Sequence, residues 1–253
     1  MKKVFCFGLG WLGNIVKQYE TEYDIRLFGT TASGKQGTVQ WNIGSDIPRE
    51  VIGCEVVVAI PASKWNETDL TKFLKQLVYA GITNILWVSS IGVYPEGTNR
   101  VFSEFNNLDE EELSEKEKNL LMQEQLVKTY FSDACILRLG GLFGYERHPA
   151  KYFQNNRPIA NGQAKANMIH GDDAARLLLT CIVNKIHGVV NGVPPVTPAR
   201  AMFYTKAFEF LKLGVPNIVD GNTGKHITSE LVNKMFPFVW KYKSPIEAYE
   251  LEN

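Results

Sequence analysis

An apolar run, Val4-Phe5-Cys6-Phe7, leads directly into Gly8-Leu9-Gly10-Trp11-Leu12-Gly13. A strand that turns straight into a helix through three glycines at this spacing leaves few folds open. The first glycine permits the tight turn, the second lets backbone approach a bound group, and the third lets the helix pack close to the strand. Bare N–H groups at the helix start attract an anion. The strand–turn–helix setting points to a dinucleotide pyrophosphate held by residues 8–13, rather than to a structural glycine turn alone.

The rest of the chain supports that setting. Strands are expected at residues 3–8, 24–29, 38–41, 55–60, 84–89 and 134–139, with a further one at 188–191. Helices are expected at 11–20, 68–79, 109–131, 172–183 (capped by Asp172) and 199–213. The continuous Val56-Val57-Val58 run suits a parallel strand covered on both faces. Alternating strands and helices, joined by right-handed crossovers, predict an α/β fold of the Rossmann type: a doubly wound parallel sheet with a small, mainly helical C-terminal cap. The expected division is 1–147 for the dinucleotide-binding domain, with a returning segment 166–193, and 148–165 plus 194–253 for a substrate-side cap.

The second strand selects among dinucleotides. A carboxylate at its end would bond the ribose hydroxyls of NAD. Here Ile25-Arg26-Leu27-Phe28-Gly29 runs on into Thr30, Thr31, Ser33 and Lys35, with no carboxylate between Arg26 and Lys35. Three hydroxyls and a lysine suit a 2′-phosphate, so NADP is expected ahead of NAD. Asn42, after the third strand, is expected to meet the adenine, and Ile60-Pro61-Ala62 to line the carboxyl edge of the fourth.

Composition removes other classes. Among 253 residues, Lys+Arg and Asp+Glu are both 27, so the basic excess of a nucleic-acid binder is absent. No stretch approaches a membrane span, and the leader-like start, Met1-Lys2-Lys3 and its apolar run, is broken by glycines. Cys6, Cys54, Cys135 and Cys181 form no CxxC motif and read as free thiols of a reducing, cytoplasmic compartment. His148, His170, His187 and His226 lack zinc spacing, and no GxSxG elbow occurs, so neither a metal site nor an α/β-hydrolase is expected.

Several segments then fall in a familiar order. Val88-Ser89-Ser90-Ile91-Gly92-Val93-Tyr94 resembles the SS…VYG segment of extended short-chain dehydrogenases. Leu137-Arg138-Leu139-Gly140-Gly141-Leu142-Phe143-Gly144 resembles their LRxxxxYG strand and loop, and Asn167-Met168-Ile169-His170-Gly171-Asp172-Asp173 their NxIHVDD segment. The tail from Gly224 through Pro245 is similar to their C-terminal end. Over nearly its whole length the chain resembles the NAD(P)-dependent epimerase/dehydratase family, in particular its atypical short members. The resemblance implies nicotinamide chemistry on a hydroxyl or carbonyl group of a small substrate, of which a sugar nucleotide is one type. By analogy it also implies a homodimer through the 68–79 or 109–131 helices.

The family works with a serine, a tyrosine and a lysine, the last two spaced YxxxK. Ser90 matches the serine, with Ser89 beside the cofactor. None of the ten tyrosines has lysine four residues later, and Lys118 has Ser114 at that spacing. Three readings stay open. Tyr94 supplies the phenol from another element, against the alternative of a packing aromatic. Glu115, Lys116 or Lys118 carries the proton, against a solvated helix face. Or the protein binds NADP without turnover and serves as a redox sensor or regulator. Arg138 either binds an anionic substrate group or forms an internal ion pair; Arg147 and His170 complete the substrate-side candidates.

Overall fold

The computed structural model describes residues 1–35, 37–234 and 238–251. In chain order its elements are β1 (Lys2–Phe7), α1 (Trp11–Gln18), β2 (Ile25–Thr31), β3 (Val39–Gln40), β4 (Glu55–Val58), α2 (Glu67–Tyr79), β5 (Ile85–Ser90), β6 (Val101–Phe102), α3 (Glu115–Tyr130), β7 (Cys135–Leu139), β8 (Gly141–Phe143), β9 (Met168–His170), α4 (Gly171–Val183), β10 (Gly188–Gly192), α5 (Arg200–Leu211), β11 (His226–Ile227), α6 (Glu230–Lys234) and α7 (Pro245–Leu251). They form two compact units that alternate along the chain. Unit 1 comprises Met1–Ser90, Lys118–Arg138 and Ala175–Val190, and unit 2 comprises Ile91–Glu117, Leu139–Ala174 and Asn191–Asn253.

Unit 1 is built on a seven-stranded parallel sheet in the order β10-β7-β5-β4-β1-β2-β3. The chain moves outward from β1 through β2 to β3, then crosses back and moves outward the other way from β4. That reversal makes the sheet doubly wound and opens a crevice beyond the carboxyl ends of β1 and β4. Register is fixed there: Phe7 lies opposite Thr30 of β2 and opposite Val58 of β4. The core on one side of the sheet is aromatic. Phe7 meets Phe73 of α2 edge-on at 4.8 Å and Trp41 at 5.1 Å, and Trp65 bridges Phe73 and Trp87. Each such pair contributes about 0.5–1.5 kcal/mol beyond its buried area. Asn66 caps α2, its side chain accepting from the Asp69 N–H at 2.8 Å.

Unit 2 carries two short parallel pairs, β8 with β9 and β6 with β11. Its core gathers Phe143, Ile159, Phe203, Phe208, Tyr242 and Tyr249, with α5 packed on α7.

Two local expectations are corrected. The single helix expected over 109–131 is a short 3₁₀ turn, Glu110–Glu112, followed by α3. Ser114 ends the break: its N–H and its hydroxyl both donate to Glu117 Oε2, at 2.7 and 2.8 Å, which is half of a capping box. Asp172 does not cap α4, because the helix already starts at Gly171. Its carboxylate is taken up by side chains from elsewhere in unit 2.

Candidate functional site

The three glycines of the first loop sit in three different surroundings. Gly8 adopts φ +88°, and a Cβ there would stand 2.8 Å from Ile60 Cγ1 and 3.1 Å from the Ala59 carbonyl. Its N–H donates to Thr30 Oγ1 at 3.2 Å, and the next N–H, of Leu9, donates to the Thr30 carbonyl at 2.8 Å. The turn is thus wedged between the ends of β2 and β4. Gly10 is open: the nearest atom to a Cβ would be the Gly8 carbonyl oxygen at 3.9 Å. Gly13 is close-packed, with Leu9 Cγ 3.0 Å from where a Cβ would be. Gly10 precedes α1 without a side-chain cap, and the first turn of α1 holds no acid. No acid of α1's own first turn stands at these N–H groups, and a Cβ on Gly10 would meet open space. This arrangement fits a pyrophosphate.

Trp11 is half-buried beside this loop and Leu12 is buried beneath it. Ile60 and Ala62 are half-buried, and Pro61 is exposed at the carboxyl end of β4.

The loop after β2 is tied by hydroxyls. Thr31 Oγ1 and Thr38 Oγ1 lie 2.9 Å apart, the Lys35 N–H donates to Thr31 Oγ1 at 3.1 Å, and the Thr38 hydroxyl donates to the Lys35 carbonyl at 2.6 Å. Thr30 is buried, whereas Ser33, Lys35 and Asn42 are exposed. The loop presents a lysine ammonium and the Ser33 hydroxyl to solvent.

At the end of β5, Ser89 is buried and its hydroxyl donates to Glu124 Oε1 at 2.5 Å; Ser90 follows, half-buried. Glu124 also receives Arg138, with Nη2 at 2.6 Å from Oε2 and Nε at 3.0 and 3.1 Å from the two oxygens. Both side chains are about 95% buried or more. Of the two roles open for Arg138, the geometry is that of the internal ion pair; the guanidinium holds β7 to α3. One residue earlier, Gln123 is fully buried and donates to the Ala62 carbonyl at 3.0 Å. α3 therefore fixes the carboxyl ends of β4 and β5 through two adjacent polar side chains.

Sequence reasoning missed both, although a signal existed. Leu120, Gln123, Glu124, Val127 and Phe131 form one helical stripe, and two polar residues stand at its apolar positions. Lys118 is half-buried on the same helix.

In unit 2, Tyr94 is wholly buried. Its ring stacks on Phe102 at 5.3 Å, and its hydroxyl lies 2.9 Å from Asn191 Oδ1 and 3.1 Å from the Ser103 carbonyl. With acceptors on both sides the phenol proton is directed into the protein, which is the geometry of the packing aromatic. The buried Lys225 ammonium reaches the Tyr94 carbonyl at 2.5 Å and Glu96 Oε1 at 2.8 Å. Glu117 accepts the Glu96 N–H at 3.1 Å. Burial pushes the Glu117 carboxyl up, but the bonds from Ser114 and Glu96 outweigh it and hold it below the usual carboxylate range.

His170 is buried, with Nδ1 accepting from the Asp172 N–H at 3.2 Å. Gly144 is obligatory against it: at φ +113°, a Cβ would overlap His170 Nε2. Asp172 accepts from the Tyr145 hydroxyl at 2.6 Å and from the Lys241 ammonium. Burial again pushes its carboxyl up, and the Lys241 and Tyr145 bonds bring it below its ordinary value. Arg147 is exposed. Among the described residues no group of three or more His, Cys, Asp or Glu is placed to hold a metal, and no helix is long and apolar enough to cross a membrane.

No family model matches the chain. Among curated proteins it is similar to Protein YeeZ of Escherichia coli (strain K12), 26% identical over an alignment of 275 positions that spans 97% of this chain and 98% of that protein. Among solved structures it is similar to a dTDP-glucose 4,6-dehydratase from Bacillus anthracis in complex with NAD, at TM-score 0.75 and 15% identity, covering 99% of this chain and 96% of that one. A human epimerase family protein with NADPH matches at TM-score 0.71 and 16% identity, covering 98% of each chain. The chain shares the fold of NAD(P)-dependent epimerases and dehydratases from end to end, as the ordered motifs implied.

Proposed function

We propose that the chain binds a nicotinamide dinucleotide at the glycine loop, NADP in preference to NAD. We further propose that it serves as an epimerase/dehydratase-like oxidoreductase on a hydroxyl or carbonyl group of a small substrate, with sugar nucleotides the leading class. One observation carries the reading: Gly8 turns, Gly10 leaves open space at an uncapped helix start, and Gly13 packs. A glycine turn with no ligand has no use for the middle condition.

Gly8, Gly10, Trp11, Leu12 and Gly13 would hold the pyrophosphate. Thr30, Thr31, Ser33 and Lys35 would receive the adenosine ribose with its phosphate, Asn42 the adenine, and Ile60, Pro61, Ala62 and Ser89 the remaining length. The preference for NADP rests on the exposed Lys35 and on the absence of any carboxylate from 27 to 35. When bound, the nicotinamide supplies hydride transfer. Ser90 would hydrogen-bond the reacting oxygen. The substrate class follows the dTDP-glucose dehydratase that shares the fold. The cap assigned to 148–165 and 194–253 falls wholly within unit 2, and we keep Arg147 and His170 as its substrate-side candidates. A homodimer through α2 or α3 belongs to the same proposal.

A second reading, a silent NADP-binding sensor, is favoured by one observation: the Tyr94 hydroxyl is enclosed by Asn191 and Ser103. The missing YxxxK pair agrees with it.

Calorimetric titration with NADPH, NADP, NADH and NAD tests the binding shared by both readings. Micromolar NADPH binding, about tenfold or more tighter than NADH (about 1.4 kcal/mol), is expected. Lys35→Glu should erase that margin by repelling the phosphate while leaving NADH binding within about a factor of two. Failure of all four dinucleotides to bind rejects both readings. Binding with no turnover across a panel of nucleotide sugars selects the sensor.

A further inference from the structure

The carboxyl edge of the sheet in unit 1 carries the proposed dinucleotide site. The amino edge carries something else. Cys135 opens β7, and Cys181 lies in the last turn of α4. The turn after α4 folds back onto the start of β7. There the Ile186 N–H donates to the Cys181 carbonyl at 2.9 Å and the Gly188 N–H to the Ala134 carbonyl at 3.0 Å, while His187 Nδ1 lies 2.6 Å from the Asp133 carbonyl oxygen. These bonds bring both cysteines to the wall of one cavity of about 250 Å³, beside the first residues of β4 and β5, Glu55 and Ile85. Asp133 and Lys185 on the same wall are exposed, whereas Cys135 and Cys181 are 3% and 1% exposed. The wall therefore combines exposed charged side chains with two nearly buried cysteines. Both thiols are free.

We propose that Cys135 and Cys181 form a dithiol site for a soft, thiophilic centre of low coordination number, of the trivalent-arsenic class, entering through this cavity.

Three points carry it. Both cysteines line one half-open cavity, and soft centres select sulfur over the carboxylate oxygens of Glu55 and Asp133 on the same wall. Among the described residues no third His, Cys, Asp or Glu joins them, so a tetrahedral zinc cage lacks ligands, whereas a centre that brings its own third substituent needs only two. The chemistry also suits a protonated Cys181. The Cys181 thiol is pushed well above its ordinary range by its contact with Cys135 and by burial, which suppresses reactions that need a free thiolate. Capture of an organoarsenic oxide needs none in the balance. Its As–O bonds are replaced by two As–S bonds, the two thiol protons leave with the oxygen as one water, and nothing is oxidised or reduced.

The probe is phenylarsine oxide added to the intact folded chain under native conditions, read by intact mass and by protease mapping. One adduct per chain is expected, bridging the peptides that hold Cys135 and Cys181. It should be released by a small dithiol, persist in a Cys6→Ser/Cys54→Ser variant, and disappear in both Cys135→Ser and Cys181→Ser. No adduct on the wild-type protein, an adduct mapped to Cys54 or Cys6, or an adduct surviving either single replacement overturns the proposal. The bridged-peptide map is read on the wild-type chain, so the result stands even where a serine variant folds poorly. Dinucleotide binding plays no part in the readout.

Discussion

Gly8 shows what one residue can decide. At φ +88° an added methyl group would meet both the Ile60 side chain and the Ala59 carbonyl. Gly8→Ala should destabilise the protein by about 1–3 kcal/mol through strain in the left-handed region and displacement of the β4 end. It should also weaken NADPH binding more than tenfold on the proposed reading, because the loop moves with β4. Thermal unfolding and the same titration would show both; a variant with unaltered melting temperature and affinity would refute this account of the turn. Asp172 makes a prediction about pH. Its folded carboxyl lies below its ordinary value, so near that value the unfolded chain binds more protons than the folded one. The stability it contributes is whole above about pH 4–5 and is lost as pH falls through the folded value. Asp172→Asn should lower stability at neutral pH by about 1–3 kcal/mol and flatten the acid limb of the stability curve. Urea midpoints at pH 7, 4 and 3 measure this, and an unchanged acid limb would assign the loss to other carboxylates.

Among the elements, α3 separates what the sequence discloses from what it hides. The glycine loop was legible because its three residues act locally, each through backbone freedom or the lack of a Cβ. The alternation of strands and helices was legible because Val4–Phe7 and Val56–Val58 are too apolar for anything but a covered sheet. Glu124 and Arg138 were not, since a buried ion pair joins residues 14 apart whose partnership no periodicity marks. Tyr94 was ambiguous for the same reason: its partners, Ser103 and Asn191, lie 9 and 97 residues away. The run from Glu110 to Lys118 read as a solvated face, yet Glu117 turns inward to end the 114 break. Glu124→Gln leaves the Arg138 guanidinium buried without its counter-charge and should cost about 3–5 kcal/mol. Glu124→Leu with Arg138→Met removes both charges and should cost far less. Chemical denaturation of the two variants decides; equal losses would mean that Ser89, not Arg138, is what Glu124 chiefly serves.

For the whole molecule, the seven-strand order fixes where a ligand can enter, and the sequence pattern was enough to foresee the doubly wound sheet. The extent of unit 2 was less visible, because its core is collected from separated stretches. Phe143, Ala150 and Ile159 come from the middle stretch, and Phe203, Phe208, Tyr242 and Tyr249 from the last. Tyr249 sits in α7, seven residues long, which no periodicity argument could certify. Its ring lies against Phe143, Phe203 and Phe210 at 5.1–5.7 Å. Tyr249→Ala should therefore cost about 3–5 kcal/mol despite its place near the chain end. Differential scanning calorimetry would register it; a loss below about 1 kcal/mol would mean the terminal helix is dispensable.

The alternation of the two units also sets an order of events on the ribosome. Residues 1–90 supply β1 to β5, but β7 begins at 135 and β10 at 188. The nascent sheet thus waits, with the β5 edge bare, through the synthesis of 118–138, and with the β7 edge bare until 192 has emerged. Between those moments the second stretch of unit 2, with Phe143, Ala150 and Ile159, leaves the tunnel without Phe203, Phe208 and Tyr249 to cover it. At roughly 5–20 residues per second the last stretch arrives only after several further seconds. Throughout that interval the growing chain offers unpaired strand edge and uncovered aromatic surface together, so it is the half-made protein, more than the finished one, that depends on chaperone cover.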